Sequence, residues 1–256
     1  MAENKISVTI ITYNEEKNIG RCLDSLAGIA DEIIVVDSCS TDRTVAICEE
    51  KGCKIFAHAF EGHIEQKNHA ISLATYDYVL SLDADECLSD ELRQRILEQK
   101  PQLEAFDGYR FHRLTNFCGQ WIRHCGWYPD TKLRLWNKHH GKWGGTNPHD
   151  RVVINSASIG FLTGDLYHYS FYTITEHLAQ IQKFSSIAAH AAWKNGKKSN
   201  VIINILLGPF YTFFKKFLLQ GGLLDGYYGF IISINTAYSR YLKYIKLKEL
   251  SEGKEI

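Results

Sequence analysis

Along the N-terminal part of the chain, apolar positions gather into short continuous runs rich in β-branched residues, separated by longer stretches of mixed polarity. Ile6-Ser7-Val8-Thr9-Ile10-Ile11 reads as a buried strand, and Glu32-Ile33-Ile34-Val35-Val36, the short Lys54-Ile55-Phe56-Ala57 and Tyr78-Val79-Leu80-Ser81-Leu82 as further strands. Helices are expected between them. The first is capped by Asn14, carries Glu15 and Glu16 at the positive end of its dipole, runs to about Leu26 and closes at Gly28. A second follows Ser38-Cys39-Ser40-Thr41-Asp42 and stops near Gly52, a third runs from about Gly62 to Ala74, and Ser89 caps a fourth. Strands alternating with helices predict an α/β fold with right-handed crossovers and a largely parallel sheet. Ligands in such sheets bind at the carboxyl ends of the strands.

The pattern changes near the C-terminus. Val201-Ile202-Ile203-Asn204-Ile205-Leu206-Leu207 and Phe210-Tyr211-Thr212-Phe213-Phe214 flank Gly208-Pro209, and Lys215-Lys216 interrupts the run short of the ~20 residues that span a bilayer. Helices lying in the headgroup region are the expectation, the alternative being apolar faces packed on the catalytic domain or on a second subunit. From Lys197 onward nine Lys or Arg face four Asp or Glu, so this segment has a surplus of five positive charges and the rest of the chain an equal negative one. The division expected is an α/β domain over 1–195, with one half to about 100 and another over 101–195, and a helical tail over 196–256. Zero net charge argues against a nucleic-acid partner, and seven scattered cysteines without a C-x-x-C pair suggest reduced thiols in a cytoplasm. The start, Met1-Ala2-Glu3-Asn4-Lys5, shows no signal-peptide pattern.

Chemistry concentrates at Asp83-Ala84-Asp85, which ends the fourth strand. Two carboxylates at a strand end suit Mg²⁺ or Mn²⁺ held against a diphosphate, although a short D-x-D also marks solvated turns. Between Phe117 and Asp150 lie four of the five tryptophans, with Arg123 and Arg134 placed to bind phosphates or carboxylates. His139-His140 reads as a solvated turn.

Four stretches in order, Ser7 to Glu16, Ile34-Val35-Val36-Asp37-Ser38, Gln66-Lys67-Asn68-His69-Ala70 and Leu82-Asp83-Ala84-Asp85-Glu86, resemble the family 2 inverting glycosyltransferases with a GT-A fold. Gly126 to Trp136, His149-Asp150, Leu166-Tyr167-His168-Tyr169-Ser170, Gly221 to Gly226 and Tyr241-Leu242-Lys243-Tyr244 are similar to a narrower branch, the bacterial lipopolysaccharide inner-core glucosyltransferases of the WaaE and KdtX kind. The resemblance implies a metal-dependent hexosyltransferase with a C-terminal helical extension. It would use a UDP-sugar, UDP-glucose before others, and a saccharide or glycolipid acceptor at the inner leaflet, with the enzyme cytoplasmic and peripheral to the inner membrane.

The resemblance also implies roles for single residues. Thr12, Tyr13 and Glu15 form the nucleotide shelf with Asp37, Lys67 and Ala84, while Asp83 reaches the ribose or a metal-bound water and Asp85 ligates the cation. Trp127, Arg134, Trp136 and His149 face the acceptor. Inversion needs a base, with Asp150 ahead of Asp130. Plainer roles stay open: strand-end packing for Tyr13, a cap for Asp37, a solvated helix face for Lys67, a first-turn acid for Glu86, and core positions for Trp136 and Trp143. The same crevice also serves nucleotidyltransferases, or a non-catalytic carbohydrate-binding module at the membrane face. Against the first, Thr12-Tyr13-Asn14 stands where a Gly-rich phosphate loop would be expected.

Overall fold

A computed structural model describes residues 4–146, 149–155 and 158–254, with His149 described by its backbone alone. In chain order the elements begin β1 (Ile6–Thr12), α1 (Ile19–Asp24), β2 (Glu32–Asp37), α2 (Thr44–Glu50), β3 (Lys54–Ala57), α3 (His63–Ser72) and β4 (Tyr78–Asp83). Next come β5 (Glu86–Leu88), α4 (Asp90–Gln99), β6 (Gly108–Phe117), β7 (Gln120–Ile122), β8 (Asp130–Asn137), β9 (Gly141–Thr146), β10 (His149–Ile154) and β11 (Ile159–Phe171). The remainder is helical, with α5 (Ile174–Lys194), α6 (Gly208–Phe214) and α7 (Gly226–Ser251). Two compact units result: Met1–Leu114 with Asp130–Tyr169, and Thr115–Pro129 with Ser170–Ile256. The boundary expected near residue 195 is thus corrected to 169/170, with an excursion at 115–129. The reason is that α5 packs along α7 through Ala189, Ala192 and Leu247, making it part of the second unit's helical core.

The first unit is built on a mixed sheet ordered β3-β2-β1-β4-β8-β6-β11-β5. Strands β3, β2, β1 and β4 run parallel, and β8 is antiparallel to both β4 and β6. Apolar clusters cover both faces of the parallel part, one containing Ile6, Val8, Ile10 and Leu82, the other Ile34, Val36, Val79 and Trp136. Burial on both faces explains why β1, β2 and β4 read as apolar runs, whereas β3, at the sheet edge, is largely exposed. Ser89 caps α4 as expected, accepting from the Leu92 amide at 3.2 Å.

Two local expectations are corrected. Asn14 adopts a left-handed conformation with φ of 54° and does not cap a helix. Its amide donates to Ser40 Oγ and its Oδ1 accepts from the Thr41 amide, both at 2.8 Å, so it ties two loops together and α1 starts only at Ile19. Glu86 is no first-turn acid but a buried strand residue of β5.

In the second unit, residues Thr115–Phe117 pair with β7. Thr173 and Glu176 form a reciprocal capping box at the start of α5. Lys246 of α7 donates to Ser185 of α5 at 2.8 Å. The apolar stretch is continuous: Val201–Leu219 forms one helix of 19 residues, with π-helical turns on either side of α6, and is long and apolar enough to cross a membrane by length and composition. That corrects the expectation of a run cut short. Pro209 lies inside this helix, at the junction of the first π-helical turn and α6, where it supplies no N–H to the backbone ladder, and Lys215 and Lys216 continue the helix.

Candidate active site

The ends of β1 and β2 make a shelf from sequence-adjacent residues. Tyr13 is 59% exposed, so its ring is open to a planar partner, whereas Thr12 is buried with its Oγ1 unpartnered. Asp37 closes the turn after β2, accepting from the Ser40 amide at 2.8 Å and its hydroxyl at 2.5 Å, and it caps no helix, because α2 starts only at Thr44. Carboxylate oxygens have further lone pairs, so these bonds do not exhaust Asp37 as an acceptor. Glu15 receives a bond from Asn18 at 2.8 Å. Burial raises its carboxyl above the ordinary range and the Asn18 bond opposes this, while the charges of Asp85, Asp42 and Asp83 add to the rise, so Glu15 shares a field with the Asp83-Ala84-Asp85 motif.

The center is a chain of buried charges. Lys67, 3% exposed on the inner face of α3, donates to Asp83 Oδ1 at 2.8 Å and to Asp150 Oδ2 at 2.7 Å. Arg134 of β8 donates from one Nη2 to Asp83 Oδ2 at 3.1 Å and Glu86 Oε1 at 2.8 Å. Arg113 of β6 joins Glu86 at 3.2 Å to Asp130 at 2.8 Å, and Lys132 also holds Asp130, at 2.9 Å. Four cations and four carboxylates therefore cancel, which is how so many charges tolerate burial. Trp143 lies beneath them, with Lys67 Nζ 4.1 Å and Arg134 Cζ 4.9 Å from its ring center, and its Nε1 donates to Ser81 Oγ at 3.1 Å. Burial alone would raise the Asp83 carboxyl, but Lys67 and Arg134 outweigh it and hold it far below the ordinary range.

Asp85 takes a different partner. Antiparallel pairing sets His168 of β11 opposite Glu86, and the Tyr169 amide donates to the Asp85 carbonyl at 2.9 Å. His168 Nε2 then lies 3.2 Å from Asp85 Oδ2. A carboxylate and an imidazole converging at a strand end suit a divalent ion that keeps sites for diphosphate and water. Among the described residues no group of three such side chains converges, so the protein would supply two ligands. Asp83 bonds to Lys67 through Oδ1 and to Arg134 through Oδ2, and each oxygen keeps a further lone pair, so these bonds leave it able to accept from a metal-bound water.

Several expected residues fall elsewhere. Trp136 is 0% exposed in the core, its Nε1 bonded to the Gly141 carbonyl at 3.1 Å, so the acceptor role is corrected to packing. Arg134 is 3% exposed and its Nη2 is shared between Asp83 and Glu86, while its Nε is left without a partner; enclosed in this way, it is placed to position the two carboxylates rather than to reach an acceptor. Trp127 belongs to the second unit, edge-on to Phe117 and His177, and Arg123 lies in that unit over Tyr128. The His149 side chain lies outside the described residues. Ala84 is buried behind the motif. Asp130 is claimed by two cations: burial would raise its carboxyl, but Arg113 and Lys132 outweigh it and hold it below the usual value, a poor setting for a base. Sequence reasoning missed Glu86, Arg113 and His168 as site residues. His168 and Glu86 both stood in recognised motifs, but Glu86 was read as a first-turn acid, while Arg113 stood in none.

Comparison with known proteins adds the following. Residues 7–157 match the family model for glycosyl transferase family 2. An uncharacterized glycosyltransferase of Rickettsia typhi is 35% identical, over 96% of this chain and 88% of its own. A lipopolysaccharide core biosynthesis glycosyltransferase, LpsC of Rhizobium meliloti, is 27% identical over 94% of this chain and 91% of its own. Among solved structures, S. aureus TarS 1-349 in complex with UDP-GlcNAc aligns over 98% of this chain and 92% of that one, at 17% identity and a TM-score of 0.47.

Proposed function

Because the chain belongs to glycosyl transferase family 2, with the α/β GT-A fold, we propose that it transfers a hexose with inversion from a UDP-sugar, UDP-glucose before others, to a lipopolysaccharide inner-core or related envelope glycan. The likeness to LpsC supports the acceptor class, and the observation that carries the reaction is the Asp83-Lys67-Asp150 chain beside Asp85 and His168. Tyr13 and Asp37 hold the base. A divalent ion on Asp85 and His168 would neutralise charge on the leaving diphosphate. Lys67 binds only Oδ2 of Asp150, leaving Oδ1 to take the proton of the attacking hydroxyl. Lys67 also fixes the spacing of the two carboxylates, so the base stays aligned with the donor side of the site. A screen of UDP-glucose, UDP-galactose and GDP-mannose with Mn²⁺ tests the reading. Turnover of UDP-glucose with inverted product supports it, and turnover of GDP-mannose alone would refute the donor assignment.

The second unit supports attachment to the inner membrane, where such an acceptor resides. The Val201–Leu219 helix packs along one side on α7: Phe213 and Phe217 stack against each other and meet Phe230 of α7 at 5.8 and 5.7 Å. On other faces Ile202, Phe210 and Leu219 are exposed. A helix anchored along one side to its own protein, and bearing Lys215 and Lys216, suits a position in the headgroup region better than a crossing.

A further inference from the structure

Beside Asp150 opens a cavity of about 770 Å³, within the size range of small-molecule sites. Lys67, Asp83 and Trp143 form part of its lining, and Arg110 and Arg151 also line it. Tyr13, Asp37, Asp85 and His168 do not, so this is the side of the site away from the nucleotide shelf. Arg110 stands on β6 opposite Leu133, and Arg151 on β10 opposite Gly144. Both are exposed, and among the described residues neither side chain makes a hydrogen bond or ion pair. The cations deeper in the wall are cancelled by Asp83, Glu86, Asp130 and Asp150, which leaves these two guanidinium groups as the uncompensated charge of the cavity.

We infer that the acceptor carries a phosphate or carboxylate group, and that Arg110 and Arg151 bind it and set acceptor specificity. This rests on the proposed glycosyl transfer and names the acceptor's chemical class. A guanidinium presents paired N–H donors matched to the oxygens of either anion, and such charge-assisted bonds exceed those to neutral hydroxyls. Two of them beside the proposed base hold the acceptor by a group remote from the reacting hydroxyl, which is how binding energy is converted into orientation.

The test uses the full chain with UDP and Mn²⁺, titrated by calorimetry with glucose 6-phosphate, glucuronate and glucose, alongside the R110Q/R151Q variant. The wild type should bind at least one anionic probe about tenfold or more tightly than glucose, and the variant should lose that preference. UDP affinity should be the same in both proteins. Equal binding of glucose and both anions, no binding of any probe, or a preference that survives in the variant overturns the inference. So does a fall in UDP affinity in the variant, which would assign these arginines to the donor diphosphate. UDP binding by the wild type is read separately and tests the transfer reaction itself, so the two can fail independently.

Discussion

Asp150 and Asp130 differ in what holds them, and that difference ranks them as the base. Lys67 engages one oxygen of Asp150, whereas Arg113 and Lys132 both bind Asp130. Asp150→Asn should lower kcat by about 10²- to 10⁴-fold with UDP-sugar affinity nearly unchanged, since general base catalysis typically contributes that much. A variant retaining more than about a tenth of wild-type kcat, with Asp130→Asn dead, would move the base to Asp130. Lys67 is the residue on which the charge balance turns. Lys67→Met leaves Asp83 and Asp150 facing each other without their shared cation, and should destabilise the fold by roughly 3–5 kcal/mol in urea denaturation. A loss under about 1 kcal/mol would mean that water already screens the pair. The candidates themselves were legible in the sequence. Their linkage was not, because the Lys67–Asp150 bond joins positions 83 residues apart, a distance no local pattern spans.

At the scale of elements, the central strands were legible because burial on both faces leaves them mostly apolar, with small polar residues such as Ser7, Thr9 and Ser81 between. Strand β5, three residues long, was not, since so short a segment carries no period. The first helix misled for a related reason: Asn14 and the two glutamates look like a helix entry, yet Asn14 and Glu16 bond to the loop after β2, and only Glu15 bonds toward the helix, to Asn18. Glu32, at the start of β2, shows how the strand edges are fastened. It accepts from Ser7 Oγ at 2.5 Å, from the Thr75 amide at 2.6 Å and from Lys54 at 2.7 Å. Burial opposes ionisation, but the bonds from Lys54, Ser7 and Thr75 prevail and pull its pKa from 4.5 down to about 2. Because the folded value lies below the unfolded one, the stabilisation is full above pH 4.5 and fades as pH falls toward 2. The wild type should therefore lose about 2–3 kcal/mol across that window relative to Glu32→Gln. Parallel pH profiles of the two proteins would contradict the assignment.

For the whole molecule, the sequence foretold an α/β catalytic part and a basic, apolar tail, but set their boundary too late. Its pattern shows which face of a helix is apolar, not which partner covers it, so the docking of α5 on α7 stayed hidden. The exposed apolar residues of Val201–Leu219 give a direct test. The full chain should float with vesicles containing phosphatidylglycerol and less so at 1 M salt, because the Debye length then falls to about 3 Å. Leu206→Glu with Phe210→Glu, both at exposed positions, should abolish flotation without changing the melting temperature. Unchanged flotation would remove the membrane proposal and leave the catalytic one standing. Glycosyl transfer from a UDP-sugar is tested most directly by the nucleotide product. Phosphorus NMR of the enzyme with UDP-glucose and Mn²⁺ should show free UDP accumulating with no pyrophosphate. Pyrophosphate would identify a nucleotidyl transfer, and an unchanged UDP-glucose spectrum with this and every other UDP-sugar would leave a binding module in place of an enzyme.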